Sequence, residues 1–165
     1  MLEKVLIAMD DSENALKAVR YAAVIIAGKI QQTNTQITLF HVFYKAPYEE
    51  IAKSSDLPHH DLSFSGSTGE FKQWMKNQRD SAEKGLEHGR QILVNEGIPN
   101  ENIEVKVVEN KKGQAAEILN ELERVGYDTI VVGRRGATGV KRFFTGSITS
   151  KIVNHARDCA VWVVE

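Results

Sequence analysis

Apolar residues along this chain fall into short unbroken runs that alternate with longer stretches where they recur every three or four positions. Val5-Leu6-Ile7-Ala8-Met9 is the first run. It is short and partly β-branched, which favours a buried strand over a helix. Asp10-Asp11-Ser12 stops it, and a side-chain oxygen of Asp11 or Ser12 can cap a helix start. Ala15, Val19, Ala22, Ala23 and Ile26 then recur at helical spacing, with Gly28 as the stop. Gln36 to Phe43 reads as a second strand.

From Tyr44 to about Gly69 the periodicity fails. Pro47, Pro58, Gly66, Gly69 and several serines fall there, and the stretch, about 44–70, reads as a long loop. Such loops are uncommon in compact domains and tend to serve function. Phe71, Trp74, Met75, Ala82, Leu86, Ile92 and Leu93 make a helical stripe running to about Glu96, with Gly97 and Pro99 as stop signals. Ile103 to Glu109 is a third strand. Gln114 to Val125 is a third helix, with Ala115, Ile118, Leu119 and Leu122 inward and Gly126 after it. Thr129-Ile130-Val131-Val132 is an apolar fourth strand ending at Gly133. Ser147 to about Arg157 is a fourth helix, with Ile148, Ile152, Val153 and Ala156 inward, and Ala160 to Val164 is a last strand.

Strands alternating with helices imply an α/β fold, a five-stranded parallel open sheet with helices on both faces. The 165 residues suit one domain, and no repeat, low-complexity tract or linker divides them. Lys and Arg total 21 against 22 Asp and Glu, so there is no basic face for nucleic acid and any anion site is local. Cys159 is the one cysteine, which excludes an intrachain disulfide and a CxxC motif and suits a reducing, cytoplasmic setting. Met1-Leu2-Glu3-Lys4 leads into the first strand without a signal-peptide pattern, and no apolar stretch approaches the ~18 residues of a membrane span.

In an open parallel sheet a ligand binds beyond the carboxyl ends of the strands, where the strand order reverses. With the first strand central and order 3-2-1-4-5, the reversal lies between the first and fourth strands, whose ends are Asp10 and Gly133. After the fourth strand comes Gly133-Arg134-Arg135-Gly136-Ala137-Thr138-Gly139, followed by Lys141 and Arg142. Glycines at spacing three allow tight turning or close approach to bare amides, which together form an anion nest. Gly146-Ser147 opens the fourth helix, and a helix start carries unpaired N–H groups and partial positive charge. Turn, cations and helix start converge on a polyphosphate. The pattern is neither Walker A nor G-x-G-x-x-G.

Gly133-x2-Gly136-x9-Gly146-Ser147 resembles the G-2x-G-9x-G-(S/T) signature of the ATP-binding branch of universal stress proteins. The opening Val5 to Ser12, the pair His41-Val42, the segment Gly113 to Leu119 and the segment Tyr127 to Gly133 are similar to corresponding parts of that family. The likeness spans nearly the whole chain except about 44–70. It implies a Rossmann-like fold of the adenine nucleotide α-hydrolase-like kind, with ATP lying across the strand ends. Ala8, Met9 and Asp10 would face adenine and ribose, and Val42 the adenine. Gly133, Arg135 and Gly136 would line the phosphates, with Gly146, Ser147 and Ile148 closing the far side. Mg2+ or Mn2+ bridging the phosphates would offset their charge. Asp11 stands where many relatives have Gly.

Other candidates weigh less. Asp10 and Asp11 can hold a ribose hydroxyl or metal, or simply cap a helix. His59-His60-Asp61 with Asp56 lacks ligand spacing for a metal, and Lys111-Lys112 reads as a solvated turn. Cys159 reads as an inert thiol and Trp74 and Met75 as core. No catalytic triad or general base can be named, so little or slow turnover is expected, with hydrolysis or adenylyl transfer as the enzymatic alternative and a nucleotide-free interaction protein as the third. Ala160 to Val164 would lie at a sheet edge, where pairing with a second copy in a homodimer would cover it.

Overall fold

The computed structural model describes residues 2–10, 12–29, 34–43, 68–134 and 146–165, with the backbone alone at 68–72, 74, 75 and 78. Its elements are β1 (Lys4–Ala8), α1 (Glu13–Ala27), β2 (Gln36–Phe43), α2 (Thr68–Asn95), a 3-10 turn (Asn100–Asn102), β3 (Ile103–Glu109), α3 (Gln114–Val125), β4 (Thr129–Gly133), α4 (Ser147–His155) and β5 (Ala160–Val164). The five strands form one sheet in the order β3-β2-β1-β4-β5, with every pairing parallel. β1 is central, and Ala8 stands level with Phe40 of β2 and Val132 of β4. The reversal of strand order therefore falls between β1 and β4, as the sequence pattern implied. Among the described residues no helix is long and apolar enough to cross a membrane.

Two hydrophobic layers cover the sheet. Val5 and Ile7 of β1, Met9 just after it, and Ile37 and Leu39 of β2 pack with α1 and α2. Leu6, Phe40, Val42, Ile130 and Val132 point the other way, onto Ile118 and Leu122 of α3 and Ile152 of α4. This is the period-two alternation of a strand, with both faces apolar because both are covered. The inner face of α1 is rich in alanine, with Ala15, Ala18, Ala22 and Ala23 buried beside Val19 and Ile26. Small side chains let that helix lie close to β4 and β5.

The cover is incomplete at the edge. Helices lie on both faces of the sheet as expected, but their cover thins at this strand, where Val105 and Val107 of β3 are 36% and 43% exposed. α2 lies mainly over β2 and against α1, leaving the outermost strand half bare. α2 begins at Thr68, slightly inside the stretch read as loop, and residues 44–67 lie outside the described residues. α3, β3 and β5 have the bounds that periodicity indicated. In α4 the inward residues are Thr149 and Ile152, whereas Val153 is 49% exposed. Ile148 and Ala156 pack beside Ile152, so the buried arc is centred on that row, and Val153, about 100° round the helix from Ile152, falls at its margin.

Candidate functional site

β1 and β4 pair side by side, and three segments gather at their carboxyl ends: the turn from β1 into α1, the end of β2 and the start of α4. The first is the turn from β1 into α1. Ser12 is the α1 N-cap, extended at φ −85° and ψ 152°, and its Oγ accepts the Ala15 N–H at 3.1 Å. Asp10 Oδ1 accepts the Ser12 N–H at 3.1 Å and also the Ser12 hydroxyl. Asp10 thus holds the capping serine in place and does not cap the helix itself.

Met9, one residue earlier, turns its side chain into the α1/α2 layer and is 6% exposed. Only its main chain borders these strand ends. The Met9 N–H donates to Phe40 O at 2.8 Å, and its carbonyl lies 2.9 Å from His41 Nδ1. His41, noted in the sequence only as a family-like residue, therefore braces the end of β1 from β2. Ala8, Val42 and Ile148 come from three distant segments yet join one cluster in the α3/α4 layer. Val42 is 5% exposed, at the end of β2.

The third segment is the start of α4. Gly146 is its N-cap, at φ −56° and ψ 151°, and no side chain caps this end. That φ is open to any residue, so the absence of a side chain, and not an unusual backbone, is what glycine contributes here. The Gly146 N–H donates to Arg134 O at 2.9 Å, and the first intrahelical bond runs from Ser150 N–H to Gly146 O at 2.8 Å. The amides of Ser147, Ile148 and Thr149 thus precede the hydrogen-bonded ladder and carry the positive end of the helix dipole. Ser147 is exposed, Ile148 and Gly146 are half-buried, and Gly133 is half-buried at the end of β4. Such a helix start suits an anionic group.

Thr149 was not singled out by its sequence. It is 5% exposed, and its Oγ1 donates to Gly133 O at 2.8 Å. A search for inward hydroxyls would have found it, since it precedes Ile152 by three positions on the buried stripe.

Arg134 departs from the expected cluster of phosphate-facing cations. Its guanidinium pairs with Glu165, and its N–H donates to Val164 O at 2.7 Å, so it is turned toward the end of β5. A cleft of about 150 Å3 lies there, lined by Asn14, Lys17, Arg134 and Glu165. Ligand pockets are commonly ~300–1,000 Å3, so this cleft is too small to seat a nucleotide. Arg135, Gly136, Gly139, Lys141, Arg142, Asp11 and the His59-His60-Asp61 group lie outside the described residues.

The remaining charged groups stand apart from the carboxyl ends of β1 and β4. Lys111 and Lys112 are exposed and give their N–H groups to Glu117 Oε1, a solvated turn as expected. Burial pushes the Cys159 thiol pKa up, and the carboxylates of Asp158 and Asp128 add to the rise, which disfavours the reactive thiolate. Among the described residues no group of three His, Cys, Asp or Glu is placed to hold a metal.

A model of the universal stress protein family matches residues 1–165. The chain is 29% identical over 171 aligned positions to the universal stress protein YxiE of Bacillus subtilis, covering 99% of each chain. Among solved structures it is similar in fold to the universal stress protein UspA from Lactobacillus plantarum, at 22% identity, TM-score 0.71 and 99% and 98% coverage. It is also similar to a universal stress protein family protein from Arabidopsis thaliana with AMP bound, at 19% identity, TM-score 0.62 and 98% and 90% coverage. With a family model matched from end to end, the chain belongs to the universal stress protein family.

Proposed function

We propose that this protein binds ATP at the carboxyl ends of β1 and β4 and acts as a nucleotide-dependent stress-response module with little or slow turnover. The observation that carries this reading is the start of α4, where Gly146 leaves the first-turn amides without a capping side chain beside the end of β4. The spacing Gly133-x2-Gly136-x9-Gly146-Ser147 supplies the rest of a phosphate cradle. A relative of the same fold carries AMP, which supports an adenine nucleotide here.

In this reading Ala8, Asp10, Val42 and the Met9 main chain bound the adenosine end, while Gly133, Arg135, Gly136, Gly146, Ser147 and Ile148 bound the phosphates. Mg2+ or Mn2+ would be held chiefly by phosphate oxygens and water, the usual mode for Mg2+. The working unit is a homodimer paired along β5, in the cytoplasm. The β5 edge carries Val163, 42% exposed on the α4 side of the sheet, and on the opposite side Tyr21 and Val24 of α1 are 51% and 62% exposed. Tyr21 meets Trp162 of β5 edge-to-face at 6.3 Å.

Mass spectrometry of the denatured protein after purification from cells tests the reading, with ATP as the expected small molecule. Titration calorimetry of the purified chain with Mg-ATP is the second arm. G136V is expected to abolish binding and leave the fold intact, because the added side chain fills the phosphate position. Rapid phosphate release would replace the binding module with an enzyme, and absence of any adenine nucleotide binding would end the proposal.

A further inference from the structure

Resting on that reading, we infer that Thr149 is a positioning residue, which aims the first turn of α4 at the nucleotide phosphates. A helix start is ordinarily held by its N-cap side chain, which occupies an amide of the first turn in doing so. Gly146 has no side chain to give, so the first-turn amides stay clear. Something else must hold the helix end, and two bonds to the end of β4 do. The Gly146 N–H reaches Arg134 O at 2.9 Å, and Thr149 Oγ1 reaches Gly133 O at 2.8 Å.

One hydrogen bond alone is a pivot. Two, placed three residues apart on the helix and on neighbouring carbonyls of the strand end, fix the direction of the axis as well as its position. Direction matters because the attraction of a helix start for an anion depends on where its N–H groups and dipole point, and it falls off within one turn. A threonine inside a helix commonly bonds back to its own carbonyl four residues earlier. Here the hydroxyl instead crosses to a residue 16 positions away, on another element. It is buried, so its partner is fixed, and the hydroxyl touches no phosphate itself.

The test compares T149V, which keeps the shape and removes the donor, with T149S, which keeps the donor. Calorimetry with Mg-ATP and with adenosine reads the phosphate and adenosine ends separately, and thermal melting without nucleotide reads the fold. T149V is expected to weaken ATP binding about tenfold and adenosine binding by less than about twofold. T149S is expected to restore ATP affinity to within about twofold of the parent. If T149V does not fold, T149C, with its weak donor, takes its place in the same comparison. Unchanged ATP affinity in T149V, or equal losses for ATP and adenosine, overturns the inference while the nucleotide site stands. A parent protein that binds no adenine nucleotide brings down the site and this inference together.

Discussion

Gly89 of α2 lies directly over Met9 at the end of β1, so close that a β-carbon at position 89 would stand 2.9 Å from the Met9 sulfur and 3.0 Å from its terminal methyl. Leu39 Cδ1 would be 3.4 Å away. Gly85, one turn earlier in the same helix, has nothing within 4 Å of the equivalent point. G85A should therefore gain the helix propensity of alanine, about 1 kcal/mol. G89A gains the same term but must move the far end of the Met9 side chain, a flexible thioether in a buried layer, which offsets part of that gain. G85A is expected to melt about 2–4 °C above the parent, and G89A below G85A. A G89A protein that melts as high as G85A would show that Met9 yields freely.

Glu121 of α3 is a buried carboxylate, 7% exposed, that accepts Lys106 Nζ of β3 at 2.7 Å and Arg124 at 2.9 Å. Burial by itself raises its pKa, but the hydrogen bonds from Arg124 and Lys106 and their charges outweigh that, and the net shift is downward. A carboxylate with a lowered folded pKa stabilises the fold above its ordinary value of about 4.3 and loses that contribution as pH falls through the folded value. E121Q should thus be less stable than the parent at pH 7 by about 1–3 kcal/mol, and the gap should narrow below about pH 4. Urea unfolding across pH 3–7 measures it. A constant gap would mean that the charge of Glu121 does not matter.

Two neighbouring arginines should behave differently toward ATP. Arg134 is paired with Glu165 at the end of β5, whereas Arg135 is placed at the phosphates by the proposed site. R134A should change ATP affinity by less than about twofold, since surface ion pairs contribute little. R135A should weaken it about tenfold or more, with a shallower dependence on salt. Calorimetry at two ionic strengths distinguishes them, and equal losses would put Arg134 in the phosphate site.

Pairing along β5 predicts that the parent runs at twice the chain mass by light scattering at micromolar concentration. V163K places a charge on the exposed edge, a device that blocks strand pairing, and should give the monomer. A monomeric parent would remove the dimer from the proposal.

Much of this architecture was legible before any coordinates. Gln114–Val125, Ile103–Glu109 and Ala160–Val164 have the bounds that periodicity indicates; Gly113 and Gly126 bracket the first, Asn102 and Asn110 the second, and the third is an unbroken apolar run that ends at Glu165. The cap of α1 was legible as Asp11 or Ser12, because capping is a contact between near neighbours, and Ser12 fills it. The reversal of strand order between β1 and β4 and the glycine-led start of α4 were legible as well. What Val153, Arg134 and Met9 do was not. Val153 is apolar and adjacent to the inward Ile152, yet faces outward; Arg134 is basic and adjacent to Arg135, yet turns to Glu165; Met9 offers the strand ends its main chain only.

Local pattern alone determined which segments are strands and helices and, with the rule that parallel crossovers need both faces covered, the class of the sheet. It did so because burial imposes a period that neighbours in the chain reveal. The tertiary structure alone decided that Thr149 reaches Gly133, that Glu121 is buried between Lys106 and Arg124, that His41 braces Met9 and that the outer face of β3 stays bare. Each of those depends on two elements meeting at a particular distance and angle, and such a meeting leaves no period in the residues on either side of it.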